Sequence, residues 1–321
     1  MGKWLGMGLR VALAALFPVF AAAQGFPERP VRIVVPLTPG GSPDTIARAI
    51  AQGLSGVWTQ PVVVENRTGG SQNIGSDLVA KSPPDGYTWL LAPDNVFSVN
   101  PYLGKQPFDP LVDLIPVTQV ARIQFLLVVN PDLPAKSVPE LIALAKSKPG
   151  ELNFGSSGNG SPQHLGATML QSMTGTKMNH VPYKGAAPAV ADLLPGRIQV
   201  WIGAANTLLP HVKEGKLRLL ASSAPERFPN LGNVPTIGES VPGYALDPWL
   251  GLFVPARTPS DAVTKIHAEV VKILGSPDLK AKLGPQGIEL VTSSPAEFTR
   301  FIREDNAKWG KIIKEAGIKA D

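Results

Sequence analysis

The sequence predicts an α/β protein of two lobes, each built on a mostly parallel sheet flanked by helices. Three observations support this fold class. The chain has 321 residues, enough for about two domains. Hydrophobic residues make up 44% of it and charged residues 17%, a composition typical of proteins with a buried core. Short apolar runs alternate with amphipathic stretches, the rhythm that favours parallel sheets.

The N-terminal segment reads as a secretory signal rather than as part of the fold. It carries Lys3 and Arg10, then an apolar core, then the small residues of "AAAQ". This order predicts cleavage after Ala23 and export to the periplasm. An uncleaved N-terminal anchor is the alternative. The chain contains no cysteine, which excludes disulfides and cysteine-ligated metals and fits an exported bacterial protein with a large core.

The charge of the chain argues against nucleic acid as a partner. The formal net charge is +5, and removal of Lys3 and Arg10 lowers it to +3 (5 − 2). No run of Lys and Arg with interleaved aromatic residues appears, as a nucleic-acid surface would require. The mature protein is therefore expected to be only mildly basic.

The first half of the mature chain alternates strands and helices. "PVRIVVP" predicts a strand that leads to a helix over 43–55. "PVVVENR" predicts a second strand that leads through a loop to a helix over 72–81, and "GYTWLLAP" predicts a third strand.

The second half repeats this alternation. "FLLVVNP", "LNFGSSG", "IQVWIGA" and "KLRLLASSA" are strand-like, and helices are predicted in "VPELIALAKSKPG" and over 162–174, 186–194, 260–274 and 295–316. Extended segments at 119–130 and 244–255 are candidate hinge strands between lobes. We therefore expect a signal peptide at 1–23, a first lobe from 24–125 and 248–321, and a second lobe at 126–247. Two domains in simple sequence order remain the alternative.

Two similar glycine-rich loops are the main candidates for a binding site. Gly41 precedes Ser42-Pro43, and Gly160 precedes Ser161-Pro162; each loop follows a strand and opens a helix. Uncovered backbone N–H groups and the partial positive charge of a helix N-terminus suit a small anion. The first loop has neither the P-loop pattern nor GxGxxG, so nucleotide binding is poorly supported.

Enzyme and metal constellations have little support in this sequence. There is no GxSxG, and the four histidines form no HxxxH pair, so we expect no catalytic residues, no metal and no cofactor. Asp44 lies in the first turn of its helix, where it compensates the helix dipole or recognises a ligand. His164, in the first turn of another helix, packs against the cap or contacts a ligand; both alternatives stay open for both residues.

Taken together, these segments resemble the Bug family, the periplasmic solute-binding receptors of tripartite tricarboxylate transporters. The resemblance covers nearly the whole mature chain, including "PERPVRIVVPLTPGGSPDTIAR", "NFGSSGNGSPQHLG" and "VPYKGAAPAVADLLPGRIQVW". It implies a Venus flytrap that closes on a small organic acid, a mono- or dicarboxylate, for membrane permease subunits. A monomer is expected, and a sensor for a membrane kinase or a periplasmic hydrolase is the alternative function.

By this resemblance, the loops at 38–44 and 156–164 grip a ligand carboxylate. The expected ligand-binding residues are Thr38, Gly40, Gly41, Ser42, Asp44, Asn73, Ser156, Ser157, Gly158, Gly160, Ser161 and His164.

Two departures from the family's pattern bear on the ligand. The usual "NRPGAGG" reads "NRTGGSQ" here, which changes residues 68–72, and Trp89 replaces the usual hydrophobic residue after "PDGYT". The first departure falls in an expected cleft loop and predicts a ligand different from familiar ones.

Overall fold

The computed structural model describes residues 26–228 and 231–316. The predicted signal peptide and its cleavage site lie outside these residues. Within the described ranges, none of the helices combines the length and the apolar character needed to cross a bilayer.

Eleven strands of the described chain form two sheets. In chain order they are β1 (Val31–Val35), β2 (Val62–Asn66), β3 (Thr88–Pro93), β4 (Leu114–Ile123), β5 (Phe125–Val129), β6 (Asn153–Ser156), β7 (Asn179–Pro182), β8 (Val200–Ala204), β9 (Arg218–Ser222), β10 (Trp249–Pro255) and β11 (Ile288–Leu290). The first sheet has the order β11-β4-β10-β3-β1-β2, and the second has the order β7-β6-β8-β5-β9. We call each sheet with its packed helices a lobe.

Helices cover both sheets. They are α1 (Ser42–Ser55), α2 (Asn73–Ala80), α3 (Asn95–Ser98), α4 (Asn100–Leu103), α5 (Val138–Ser147), α6 (Pro162–Thr174), α7 (Ala186–Leu193), α8 (Ala205–Lys213), α9 (Ile237–Ser240), α10 (Ser260–Leu274), α11 (Pro277–Leu283) and α12 (Pro295–Ala316). The two-lobed α/β class predicted from the sequence is confirmed.

The sheets are mixed, and the prediction of mostly parallel sheets was wrong. In the first sheet, β1 pairs in parallel with β2 and β3, whereas β10 is antiparallel to both β3 and β4. In the second sheet, β5 is antiparallel to β8 and β9. The reason is that β5 and β10 each follow a passage between the lobes and enter the new sheet against the direction of its βαβ units.

The chain changes sheets within the two extended segments. β4 ends at Ile123 in the first sheet and β5 begins at Phe125 in the second, so 119–130 is two strands joined at Gln124 rather than one. The return follows β9 and precedes β10. The domain limits expected at 125/126 and 247/248 stay a prediction.

The C-terminal helix α12 packs on the first lobe, far along the chain from the strands it covers. Phe298 is fully buried and its ring meets the rings of Trp249 and Phe253, with centroids 5.3 and 5.5 Å apart. Asp305, about two turns further along the same face of α12, accepts hydrogen bonds from Trp249 Nε1 and Ser98 Oγ. These contacts fasten the chain end to the return strand β10.

We expect Phe298→Ala to destabilise the protein by about 3–5 kcal/mol, because it leaves a cavity between α12 and β10. Val57→Ala is the control, since the Val57 side chain is 57% exposed and its truncation costs little. Urea unfolding measures both free energies. A loss below about 1 kcal/mol for Phe298→Ala would show that α12 is not anchored by this ring.

Candidate functional site

A cavity lies between the lobes and encloses about 560 Å³ of empty space, solvent at its mouth included. Ligand sites occur preferentially at interfaces between domains. Its polar wall comes from both lobes, and its apolar wall comes mainly from the segments where the chain passes between them. The apolar residues there include Ile123, Phe125, Pro248, Trp249 and Leu250.

Five helices of eight or more residues begin at this cavity. Gly41 is the N-cap of α1, Gln72 of α2, Ser161 of α6 and Ala204 of α8, and all four residues line the cavity. Ala186, the first residue of α7, lines it as well. A helix N-terminus carries about half a positive charge and exposes N–H groups without intrahelical partners. The cavity is therefore electropositive at its polar wall.

This positive potential comes without a cationic side chain. Among the described residues that line the cavity there is no Lys, Arg, His, Asp or Glu. The polar side chains are hydroxyls and amides: Thr38, Ser42, Gln72, Asn95, Ser157, Ser161, Gln163 and Thr207. An anion bound here would be held by backbone N–H groups and neutral donors, whose charge does not change with pH.

The loop before α1 is shaped by Asp44. Its carboxylate accepts hydrogen bonds from Gly40 N–H (3.0 Å), Arg48 Nε (3.0 Å) and Asn66 Nδ2 (3.1 Å). Burial raises the pKa of Asp44, but the hydrogen bonds from Arg48, Gly40 and Asn66 outweigh burial and hold the pKa below its ordinary value. Asp44 is not among the lining residues, so it fixes the loop from behind.

Helix α1 begins at Ser42, one residue before the start predicted at 43. Gly41 is the N-cap, and no side chain caps the helix. Ser42 Oγ instead donates to Asn206 Oδ1 of α8, at 2.7 Å, across the cleft. The N–H groups at the start of α1 are therefore not bonded to a capping side chain and are available to an anion.

The loop before α6 is braced by the side chains around it. Ser161 Oγ accepts from His164 N–H, and His164 Nδ1 accepts from Gly160 N–H at 3.1 Å. The His164 ring stacks on His180, with centroids 4.1 Å apart, and His180 Nε2 lies 2.5 Å from Ser156 Oγ. These hydrogen bonds fix the conformation of the loop. The Gly160 N–H is bonded to His164 and is therefore not available to a ligand.

Several contacts join the lobes around the cavity. Gln72 Nε2 donates to Ser157 O at 3.1 Å, from the first lobe to the second. Gly185, before α7, approaches Thr38 so closely that a Cβ on Gly185 would overlap Thr38 Oγ1. Together with the bond between Ser42 and Asn206, these contacts describe a cleft in its closed form.

The expected ligand-binding residues divide into two groups. Thr38, Gly41, Ser42, Ser157 and Ser161 line the cavity. The other seven expected residues, which do not line it, are Gly40, Asp44, Asn73, Ser156, Gly158, Gly160 and His164.

Two residues of the second group have clear packing roles. Asn73 Oδ1 accepts from Gln106 Nε2 at 2.9 Å and from Asn100 Nδ2 at 3.3 Å. Gly160, at φ +74°, has no room for a Cβ, because Asn100 Oδ1 and Leu103 Cδ1 would both lie 2.8 Å away. Both residues therefore build the loops around the cavity.

Sequence reasoning missed Gln72, Asn95, Gln163 and Thr207. Gln72 lies in the segment that departs from the family's pattern, so the departure itself was the signal. Asn95 follows β3 directly and Thr207 lies near the end of β8; both occupy the carboxyl ends of strands, where α/β proteins bind ligands. Gln163 follows Ser161-Pro162 immediately, within a loop already singled out.

Solved structures show the same architecture. Rpa4515 from R. palustris, determined with adipate, is similar with a TM-score of 0.88 and 38% identity, covering 91% of this chain and 99% of that one. MatC from Rhodopseudomonas palustris, with bound malate, is similar with a TM-score of 0.86 and 28% identity, covering 90% and 100%. The fold is thus that of periplasmic solute-binding proteins.

Sequence comparisons agree with this structural similarity to solute-binding proteins. Protein BugT of Bordetella pertussis is 35% identical over 320 residues, which span 98% of this chain and 97% of BugT. The family model described as "Tripartite tricarboxylate transporter family receptor" matches residues 46–318. The chain therefore belongs to the tripartite tricarboxylate transporter receptor family, and it is similar to the Bug protein BugT.

Proposed function

We propose that this protein captures a small organic carboxylate in the interlobe cavity and presents it to the membrane permease subunits of a tripartite tricarboxylate-type transporter. It acts in the periplasm, without catalysis and without a cofactor. The observation that carries the proposal is the convergence of five helix N-termini on a cavity lined by no ionisable side chain among the described residues.

The chemistry of the polar wall favours a carboxylate. Hydrogen bonds to a charged acceptor contribute about 1.5–3 kcal/mol each, and donors fixed in helix ends need no reorganisation. Membership in a receptor family supports this class of ligand, as do the carboxylates bound by Rpa4515 and MatC. A neutral wall also allows release, because no buried ion pair has to be broken.

The hydrolase alternative finds no support in the cavity. A serine nucleophile requires a base within hydrogen-bond reach. Ser42 Oγ donates to the Asn206 amide oxygen, which is not a base, and Ser161 Oγ accepts from the backbone N–H of His164. Ser156 Oγ lies 2.5 Å from His180 Nε2, but Ser156 is fully buried and does not line the cavity.

A sensor for a membrane kinase would use the same closed cleft. Uptake of labelled ligand by cells that lack the receptor separates the two, since only transport requires the receptor for uptake.

The α1 terminus is tested by a matched pair of substitutions at Gly41. The backbone at Gly41 has φ −81°, which proline can adopt, and an added Cβ would meet Pro43 Cδ at an ordinary 3.6 Å. Gly41→Pro removes the N–H, whereas Gly41→Ala keeps it. For a bound carboxylate we expect Gly41→Pro to weaken affinity by about ten- to a hundredfold and Gly41→Ala by under about threefold.

Isothermal titration measures both affinities, after unfolding curves show that both variants fold like the wild type. Equal affinities of the two variants would mean that the Gly41 N–H does not hold the ligand.

Closure of the cleft is tested at Gly185. An alanine there would collide with Thr38 in the closed form, so we expect Gly185→Ala to lower ligand affinity and to prevent the decrease in radius of gyration that ligand causes in the wild type. Small-angle scattering measures the radius. Gly175→Ala is the control, because Gly175 also has a positive φ but no atom within 4 Å of an added Cβ.

If Gly185→Ala closes and binds like the Gly175→Ala control, the contact between Gly185 and Thr38 does not belong to the ligand-bound form.

A further inference from the structure

The loop before α2 has an unusual backbone. Four consecutive residues have positive φ: Gly69 at +119°, Gly70 at +56°, Ser71 at +50° and Gln72 at +72°. Glycine adopts this region freely, but Ser and Gln pay a steric cost there because of their Cβ atoms. Backbone strain of this kind persists where the surrounding structure enforces it, and it is concentrated at functional sites.

The strain at Gln72 places its side chain in the cavity wall. Gln72 is 3% exposed and lines the cavity, whereas Ser71 does not. Its carboxamide is fixed at both ends: Nε2 donates to Ser157 O at 3.1 Å, and Oε1 accepts from Asn95 Nδ2 at 2.6 Å. The amide thus bridges the lobes next to the glycine-rich loop before α6.

Two residues of the cavity wall, Asn95 and Gln163, have amide oxygens without a hydrogen-bond partner among the described residues. Asn95 is fully buried and lines the cavity, and because its Nδ2 donates to Gln72 Oε1 and Asn100 Oδ1, its Oδ1 is the atom left over. Asn95 Oδ1 and Gln163 Oε1 are both buried without a hydrogen-bond partner among the described residues. A hydroxyl or N–H group of a ligand would satisfy such acceptors, whereas a carboxylate would be repelled by them.

We propose that Gln72 determines ligand selectivity and that the protein takes carboxylates whose second polar group is a neutral hydrogen-bond donor, such as hydroxycarboxylates, in preference to dicarboxylates. This rests on the proposed function. One carboxylate lies at the helix N-termini, and the ligand's hydroxyl donates to Asn95 Oδ1, because the hydrogen bond from Asn95 Nδ2 to Gln72 Oε1 orients the Asn95 amide. A second carboxylate would face the Asn95 and Gln163 amide oxygens, which accept and cannot donate, and it would lose its hydration without compensation.

The test uses two pairs of probes that differ only at one end: 6-hydroxyhexanoate with adipate, and 4-hydroxybutyrate with succinate. At pH 8 all of their carboxyl groups are ionised. In isothermal titrations, we expect the wild type to bind at least one hydroxy acid about tenfold or more tighter than its diacid partner, the effect of about one hydrogen bond.

Three variants assign this preference to Gln72. Gln72→Gly relieves the backbone and removes the amide, and the ratio of affinities should fall below about threefold. Ser71→Gly relieves the backbone one residue earlier and keeps the amide, so it should retain the wild-type ratio. Gln72→Asn tolerates the left-handed region and keeps the fold, but its shorter amide does not reach Ser157, so it should lose the preference as well.

The outcomes separate the two proposals. If the wild type binds both diacids as tightly as their hydroxy acids, or if the ratio survives in a folded Gln72→Gly or Gln72→Asn variant, selectivity does not come from Gln72. If Ser71→Gly loses the preference for the hydroxy acid as well, the preference comes from the loop backbone, and this proposal is overturned. If none of the four probes binds, the carboxylate-binding function itself fails.

Discussion

In the function that we propose, the cleft meets one constraint: a small anion between two lobes is neutralised without a charged side chain. Five helices that begin at one cavity meet this constraint, because each contributes partial positive charge and N–H groups that the helix itself does not use. The mixed sheets follow from the same arrangement. The strands must end at the cleft for their helices to start there, and the chain must pass between the lobes twice.

The residues around the cavity serve mainly to hold backbone in place. Asp44 binds Gly40, Arg48 and Asn66 and thereby fixes the loop before α1. His164 does the same for the loop before α6 through Gly160. Neither residue lines the cavity, so both act on the shape of the loops, and the described cavity wall is neutral. Ser42 and Gln72 add hydrogen bonds that join the lobes around the cavity.

Sequence patterns predicted long, periodic elements well and short or buried ones poorly. The helices at 162–174, 260–274 and 295–316 have the predicted bounds, because a 3.6-residue apolar period marks them. The short helices α3, α4 and α9 escaped prediction, since four residues carry no period. The sequence showed the glycine-rich loops of the site. It could not show which of their N–H groups bond within the protein, because that depends on how the loops pack in three dimensions. Gln72 and Asn95 meet only in three dimensions, 23 residues apart along the chain.

The central claim is that backbone N–H groups at helix starts, and not cations, hold the carboxylate. A crystal structure of the complex with a bound carboxylate tests it most directly. We predict carboxylate oxygens within about 3.2 Å of backbone N–H groups at the starts of α1 and of at least one helix of the second lobe. No Lys or Arg side chain should contact the carboxylate. A carboxylate paired with a Lys or Arg, or bound outside the interlobe cavity, would contradict the account.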